Sequence, residues 1–415
     1  MIRSIGIITA TLLLGTAHTL LADAAPAQRV EPASRVQPAV RAVEATRIDG
    51  SIIQGEWLPV DEPGKIGLRT KDRREIMSAD DLISLRFIDV FPPTRSQEWT
   101  VTVWCNNGSI IPADIVDGDE TAVRLKTPFA ERVTVALKDI AAIQWNRHQA
   151  RFGKLMQEHL AARSESKDTL IALRDNKPRS LEGAIEAISS DGGSFNFRNR
   201  VLRFTSRNAI GIVLAVAANA EPAPAVCVID DGYRIAGHIL RTSSDTISLR
   251  GVSSTTISLS VPTIREIRFN STRVVYLSDL KPSDQQHRSV FDIHWPVRLD
   301  LAVSNQPLAI NGRPYAKGLG AHAHSEITYQ LGQAYRSFAA TIGIDDFARP
   351  AGHVIFQVFG DDRELYSSGP ITGRDDPRDV LVDLSGVRVI RLVVQQAEQL
   401  DIGDHADWAN ARLIK

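Results

Sequence analysis

Between residues 46 and 269 one spacing recurs four times, and it leaves the chain few folds to choose from. Four segments open on a turn dipeptide: Asp49-Gly50, Asn107-Gly108, Asp175-Asn176 and Asp231-Gly232. Such pairs accept the left-handed backbone of tight hairpins. A small residue follows each turn: Gly55, Ala113, Gly183 and Gly237. Thirty-two positions further on stands an expected strand end, at Phe87, Trp145, Ala215 and Phe269. Five and two residues before those ends lie Leu82 and Leu85, Ile140 and Ile143, Ile210 and Val213, Ile264 and Ile267. The third segment has two extra residues in its opening hairpin, around Lys177-Pro178, and keeps the register. Inside the segments apolar and polar residues alternate, as in Ile247-Ser248-Leu249-Arg250 and Ile257-Ser258-Leu259-Ser260. Alternation rich in β-branched residues predicts half-buried antiparallel strands. Each repeat then holds about five short strands, the content of a small β-barrel.

The layout of a turn with Gly, a bent strand, a variable loop and an Ile-x-x-Ile closing strand resembles Sm-like and SH3-like barrels. One interruption is helical. From His148 to Arg163, Phe152, Leu155, Met156 and Leu160 fall on one face. This helix is expected to pack across the barrels or to space the first pair from the second. The edge strands of the repeats are expected to pair with each other, which removes an aggregation liability.

The N-terminus reads as an export signal. Arg3 supplies a positive n-region, Ile5 to Leu14 is apolar but shorter than a bilayer span, and Ala22-Asp23-Ala24 offers a small-x-small cleavage pattern. Residues 1–24 are therefore expected to be a signal peptide and 25–45 an Ala/Pro-rich linker. Repeats one and two follow at 46–146, a helical spacer at 147–165, repeats three and four at 166–269, and a C-terminal domain at 270–415. The expected location is secreted, periplasmic or in the cell envelope, with no transmembrane segment once the signal is cleaved. A net charge of -1 lacks the basic excess of nucleic-acid binders, so no nucleic-acid partner is expected. Cys105 and Cys227 fall in different repeats. A disulfide is chemically allowed outside the cytoplasm, and two buried small apolar residues is the alternative.

After Phe269 the character changes. Strands are predicted at 326–331, 337–344, 353–359, 380–383, 389–394 and 408–414, separated by tight turns such as Gly360-Asp361-Asp362. Short strands at this spacing indicate a β-sandwich of jelly-roll type. Five pieces stand in order within one domain length: Tyr276 to Pro282, Lys317-Gly318-Leu319-Gly320-Ala321-His322, Phe338 to Asp346, Val354 to Asp361, and Asp404-His405-Ala406-Asp407-Trp408-Ala409. Together they resemble the NPCBM family of carbohydrate-binding modules, named also for glycosyl hydrolase family 98. The resemblance covers about residues 271–415. It implies a galactose-binding-like jelly roll, secreted, that binds glycans without cleaving them. The fold class expected for the whole chain is thus mainly β. Four antiparallel barrel-like repeats, with one short helix between the second and third, precede a jelly-roll sandwich.

Sugar recognition needs fixed polar side chains for hydroxyls and an aromatic face for the apolar side of the ring. His322, His324, Asp345, Asp346, His405, Asp407 and Trp408 supply those types at loops and strand ends, where binding residues collect. Each has a structural alternative. Trp408 is as well placed for a core as for a platform, Asp345-Asp346 can cap a turn, and His322 can be a hydrogen-bonded core histidine. Gly318 and Gly320 are assigned to backbone geometry, and Lys317 to an ion pair or solvent. Asp404 and Asp407 are candidates for a structural Ca²⁺, since hard oxygen ligands suit that ion. His322 and His324 stand at i, i+2, the spacing of one strand face, but no second pair completes a zinc site with His405.

No catalytic residue is assigned. A glycosidase needs two carboxylates across a cleft, and the repeats leave no catalytic-sized domain. Neither a Gly-x-Ser-x-Gly elbow nor a His-Glu-x-x-His helix is present. The expected protein is a non-catalytic glycan binder, with galactose-type sugars as ligands. Its repeats present the binding domain and are candidates for homo-oligomerisation. A structural or adhesion protein of the envelope is the alternative, and a glycoside hydrolase the distant one.

Overall fold

The structure is a computed structural model that describes residues 41–88, 98–216, 222–230, 233–288, 294–397, 401 and 403–415. The expected signal peptide, most of the linker and the Asp231-Gly232 turn lie outside the described residues.

Each repeat closes on itself. Its first strand pairs antiparallel with its last: Ala45 with Leu85, Val103 with Ile143, Ile171 with Gly211, and Cys227 with Ile267. The second strand carries the corner. In the first segment Gly55 still faces Val43 of the first strand, while the next residue, Glu56, faces Arg69 of the third. The same handover occurs at Ala113 and Asp114, Gly183 and Ala184, and Gly237 and His238. The small residue is therefore where the strand bends from one side of the barrel to the other. At Gly183 a Cβ would lie 2.1 Å from the Asn196 carbonyl oxygen, so nothing larger fits there.

The opening turns behave as their sequences dictate. Gly50 and Gly108 have φ of +94° and +93°, and Asp175 and Asn176 both sit in the left-handed region. Asp49 and Asn107 accept the backbone N–H two residues on, from Ser51 and Ser109. The last strands end at Phe87, Trp145 and Phe269 as the spacing predicts, but the third ends at Val213 rather than Ala215. Side chains capture the backbone there. Asp168 accepts the Ala215 N–H, and Arg163 donates to the Leu214 and Ala215 carbonyls.

The closing strands pair with one another. Leu82–Phe87 lies against Glu266–Phe269, with Leu85 opposite Ile267. Ile140–Trp145 lies against Ala209–Val213, with Ile143 opposite Ile212. The first segment is thus joined to the fourth and the second to the third, and one apolar core runs through all of them. The helix spans Gln149–Ala161 after a short 3₁₀ turn. It covers the seam of the inner pair: Phe152 and Met156 pack on Trp104, Ala142, Ile171, Ile210 and Val213. Cys105 and Cys227 are free and buried, and burial pushes both thiols up to about 12.

The C-terminal domain is a sandwich of two antiparallel sheets. One runs Arg298–Leu299, Gly318–His322, His405–Ile414, Ser337–Ile344 and Arg378–Asp383, with Val274–Tyr276 also on His405–Ile414. The other runs Asp284–His287, Ser325–Gln330, Val389–Gln396, His353–Gly360 and Arg363–Thr372. Inward-facing residues of both sheets fill the core. Arg412, buried on the long His405–Ile414 strand, donates to the Ile48 carbonyl at 2.9 Å and ties the sandwich to the first repeat. Ile48, Ala339 and Ile414 pack beside it. Lys317 pairs with Asp279 and Asp300, the ion-paired alternative.

Candidate functional site

At one end of the sandwich the last residue of one strand meets the first of its neighbour. His322 ends Gly318–His322, His405 begins His405–Ile414, and the two are directly opposite in the ladder. Cross-strand partners of this kind touch, and the imidazole centroids are 5.6 Å apart. Trp295 stacks on His322 at 5.2 Å and 10° between planes, and lies 5.4 Å from His405. Phe347 stacks on the other side of His405 at 5.9 Å and 17°. His287 continues the row, 5.8 Å from His322 and 5.6 Å from His294. The result is a row of aromatic and imidazole rings from the sandwich end to the surface.

Burial varies along the row. His322 and His405 are buried, Trp295 is half-buried, and Phe347 is 68% exposed. Among the described residues Phe347 is the most exposed large apolar side chain and the only exposed apolar ring. Its neighbours hold it out. Asp345 donates its N–H to the His405 carbonyl at 3.0 Å, and its carboxylate accepts the Phe347 N–H at 3.1 Å. Asp346 accepts the Gly312 N–H at 2.8 Å. The turn-capping alternative therefore describes Asp345, whose turn presents Phe347, while Asp346 holds the distant Gly312 loop.

The imidazoles are held neutral. Burial pushes His322 down to about 4. Burial also lowers His405, against the opposing pull of Asp345. His287 is lowered by burial and then by His294 and His324. A neutral imidazole both donates and accepts, and His405 Nδ1 is buried with no hydrogen-bond partner among the described residues. His324 is bonded through Nε2 to Gln396 Oε1 at 2.9 Å, while the Gln396 amide nitrogen has no partner. The site thus combines flat apolar faces with unsatisfied neutral polar groups.

Three expectations change. Trp408 is 0% exposed, wedged between Phe356 and Phe338, so its ring is core and not a surface platform. It sits mid-strand with its side chain on the inner face of the sheet. His322 and His324 do not share a strand face, because His324 has φ of +63° and forms the turn into Ser325–Gln330. Asp404 and Asp407 do not act as one ligand pair. Three residues apart in extended chain, they face opposite ways. Asp404 accepts the His353 N–H at 2.7 Å, and burial pushes its carboxyl up to about 6. Asp407 is fully buried towards Asp345; burial, reinforced by Asp345, raises its pKa well above the usual carboxylate range. The Ala309 N–H and the Asp345 carboxyl are its polar neighbours, yet neither makes a well-formed hydrogen bond to it. Among the described residues no group of three or more His, Cys, Asp or Glu is arranged to hold a metal ion.

The sequence reading missed Trp295, Phe347, His287 and His294. A clue to three of them is present: two histidines and a Trp-Pro step fall within the ten residues 287–296.

Residues 273–414 match the NPCBM/NEW2 domain. The NPCBM domain therefore contains the whole ring row. Its segment is 36% identical over 143 residues to a "Putative endo-alpha-N-acetylgalactosaminidase" of Renibacterium salmoninarum, covering 33% of this chain and 10% of that protein. It is 32% identical over 117 residues to an "Alpha-1,3-galactosidase B" of Akkermansia muciniphila, covering 27% of this chain and 15% of that protein. The chain thus spans a small part of these relatives' lengths. Among solved structures, a CBM51 module of a Clostridium perfringens GH95 protein, in complex with methyl-galactose, is 28% identical with a TM-score of 0.31. It covers 34% of this chain and 99% of that module.

Proposed function

We propose that this chain is a secreted glycan-binding protein that does not cleave its ligand, and that the sugar docks on Phe347 beside Trp295, His322 and His405. The observation that carries the reading is Phe347, 68% exposed and stacked on His405 within a domain of carbohydrate-binding type. A pyranose lays its apolar C–H face on such a ring. Galactose-type sugars are the first candidates, because two relatives of the NPCBM segment are named for galactosidase or N-acetylgalactosaminidase activity. The chain matches only 10% and 15% of those relatives' lengths, so their activities are not carried over to it. In this reading the paired barrels present the NPCBM domain.

The test is retention of the full chain on immobilised galactose and on a glycan array, with Phe347→Ala as control. Retention by the wild type and its loss in the variant is the expected result. No retention on any glycan would favour a structural or adhesion protein of the envelope. Release of reducing sugar by the whole chain would overturn the non-catalytic reading.

A further inference from the structure

We propose that a second pocket, at the junction of the second, third and fourth repeats, binds a small tetrahedral oxyanion, phosphate or sulfate. The cavity is about 270 Å³ and is lined by Arg163, Arg234, Asn106, Gly108, Trp104 and Leu160, among others. That is below the range of drug-sized sites and suits one compact group. Among the described residues two guanidiniums line it and no carboxylate does.

Arg163 is anchored on neutral acceptors only. Its Nε donates to the Leu214 carbonyl at 2.9 Å, Nη1 to Asn106 Oδ1 at 2.9 Å, and Nη2 to the Ala215 carbonyl at 2.7 Å. Arg234 comes from the fourth repeat and donates Nε to the Gly108 carbonyl at 3.1 Å. Arg234 is exposed as a residue, and that contact sets its head against the pocket wall. Nearby acids are already engaged. Asp168, the carboxylate that Arg163 senses, accepts the Ile185 and Ala215 N–H groups. Glu266 is paired with Arg268, whose own charge adds to that on Arg234. Burial lowers the pKa of both arginines, because a desolvated guanidinium is a costly charge; Asp168 opposes this at Arg163, and Arg268 adds to it at Arg234. Arg forks match phosphate and sulfate oxygens in pairs. An anion here would tie the helix end to the second and fourth repeats.

The experiment is calorimetric titration of the full chain with sodium phosphate and sodium sulfate, against sodium acetate at matched ionic strength. Saturable binding of phosphate or sulfate, weakened at least tenfold in Arg234→Gln, is the expected result. Among the described residues Arg234 makes one bond to the backbone, and it lies at the rim, so its variant keeps the fold; circular dichroism checks that. Glucose 6-phosphate distinguishes the source. Tighter binding than inorganic phosphate points to a phosphorylated saccharide, equal binding to the free ion, and both support the site. No saturable heat with phosphate or sulfate, equal binding of acetate, or an unchanged affinity in Arg234→Gln would overturn it. Galactose retention is independent of this pocket and should be unaltered in Arg234→Gln.

Discussion

The indole of Trp408 and the phenyl ring of Phe356 meet edge to face, centroids 4.9 Å apart and planes at 88°. The contact spans the two sheets of the NPCBM domain and fixes their separation. Replacing Trp408 with Ala should cost about 3–5 kcal/mol of domain stability, as large-to-small core changes do. Denaturant unfolding monitored by tryptophan fluorescence measures it. A loss below about 1 kcal/mol would contradict the core placement.

Phe347→Ala should do the reverse. The side chain is mostly in solvent, so stability should stay within about 0.5 kcal/mol of wild type. Retention on the glycan column should disappear. Full retention together with an unchanged midpoint would place the sugar elsewhere on the domain.

Acid should loosen the site through His322. Its folded pKa of about 4 lies below the ordinary 6.5, so the unfolded chain takes up the proton first as pH falls. The stability it contributes is present at pH 7 and is lost between 6.5 and about 4. Asp404 works against this. Its carboxyl is pushed from 3.8 up to about 6, so its contribution falls as pH rises through that window. Thermal midpoints from pH 4 to 7 separate the two. His322→Gln should flatten the acid decline and Asp404→Asn should steepen it. Parallel curves for wild type and His322→Gln would show that His322 is not held neutral.

At the seam of the inner barrels, Met156 sits over Gly211. A Cβ on Gly211 would come within 2.5 Å of Met156 Sδ and 2.9 Å of the Ile143 carbonyl oxygen. Met156→Ala should cost roughly 2–5 kcal/mol by opening a cavity under the helix. Gly211→Val should also destabilise, by overpacking. Calorimetry of each variant checks both, and wild-type midpoints would mean that the helix does not hold the seam.

The thiols offer a simple check. With both cysteines buried and pushed up to about 12, neither should react with a disulfide reagent at pH 8 in the native protein. Both should react in denaturant. Fewer than two reactive thiols in the denatured, unreduced protein would indicate a bridge.

The repeats were legible because a fixed spacing of small residues and apolar pairs survives in all of them. Gly55, Ala113, Gly183 and Gly237 each mark a strand corner, which local sequence reveals through size alone. The third strand end was misplaced because its backbone bonds are taken by Asp168 and Arg163, residues far outside the repeated spacing. The ring row was half legible. His322 and His405 stood out as residue types, and the ladder makes them neighbours. Trp295 and Phe347 did not, because their place comes from the rings they meet, His322 and His405, which are distant in the chain. Trp408 misled for a related reason: an aromatic beside polar residues looks like a platform until alternation turns it inward.

The pairing of closing strands is nested like brackets, the second segment with the third inside the first with the fourth. The first segment's outer edge finds its partner only across some 180 residues, from Leu85 to Ile267. Contacts so distant in sequence form slowly, because loop closure comes before its reward. During synthesis the inner pair can assemble while the first edge is still bare. Chain order thus completes the partners of the inner pair before those of the enclosing pair, and the C-terminal sandwich, which leans on the first repeat through Arg412, is made last.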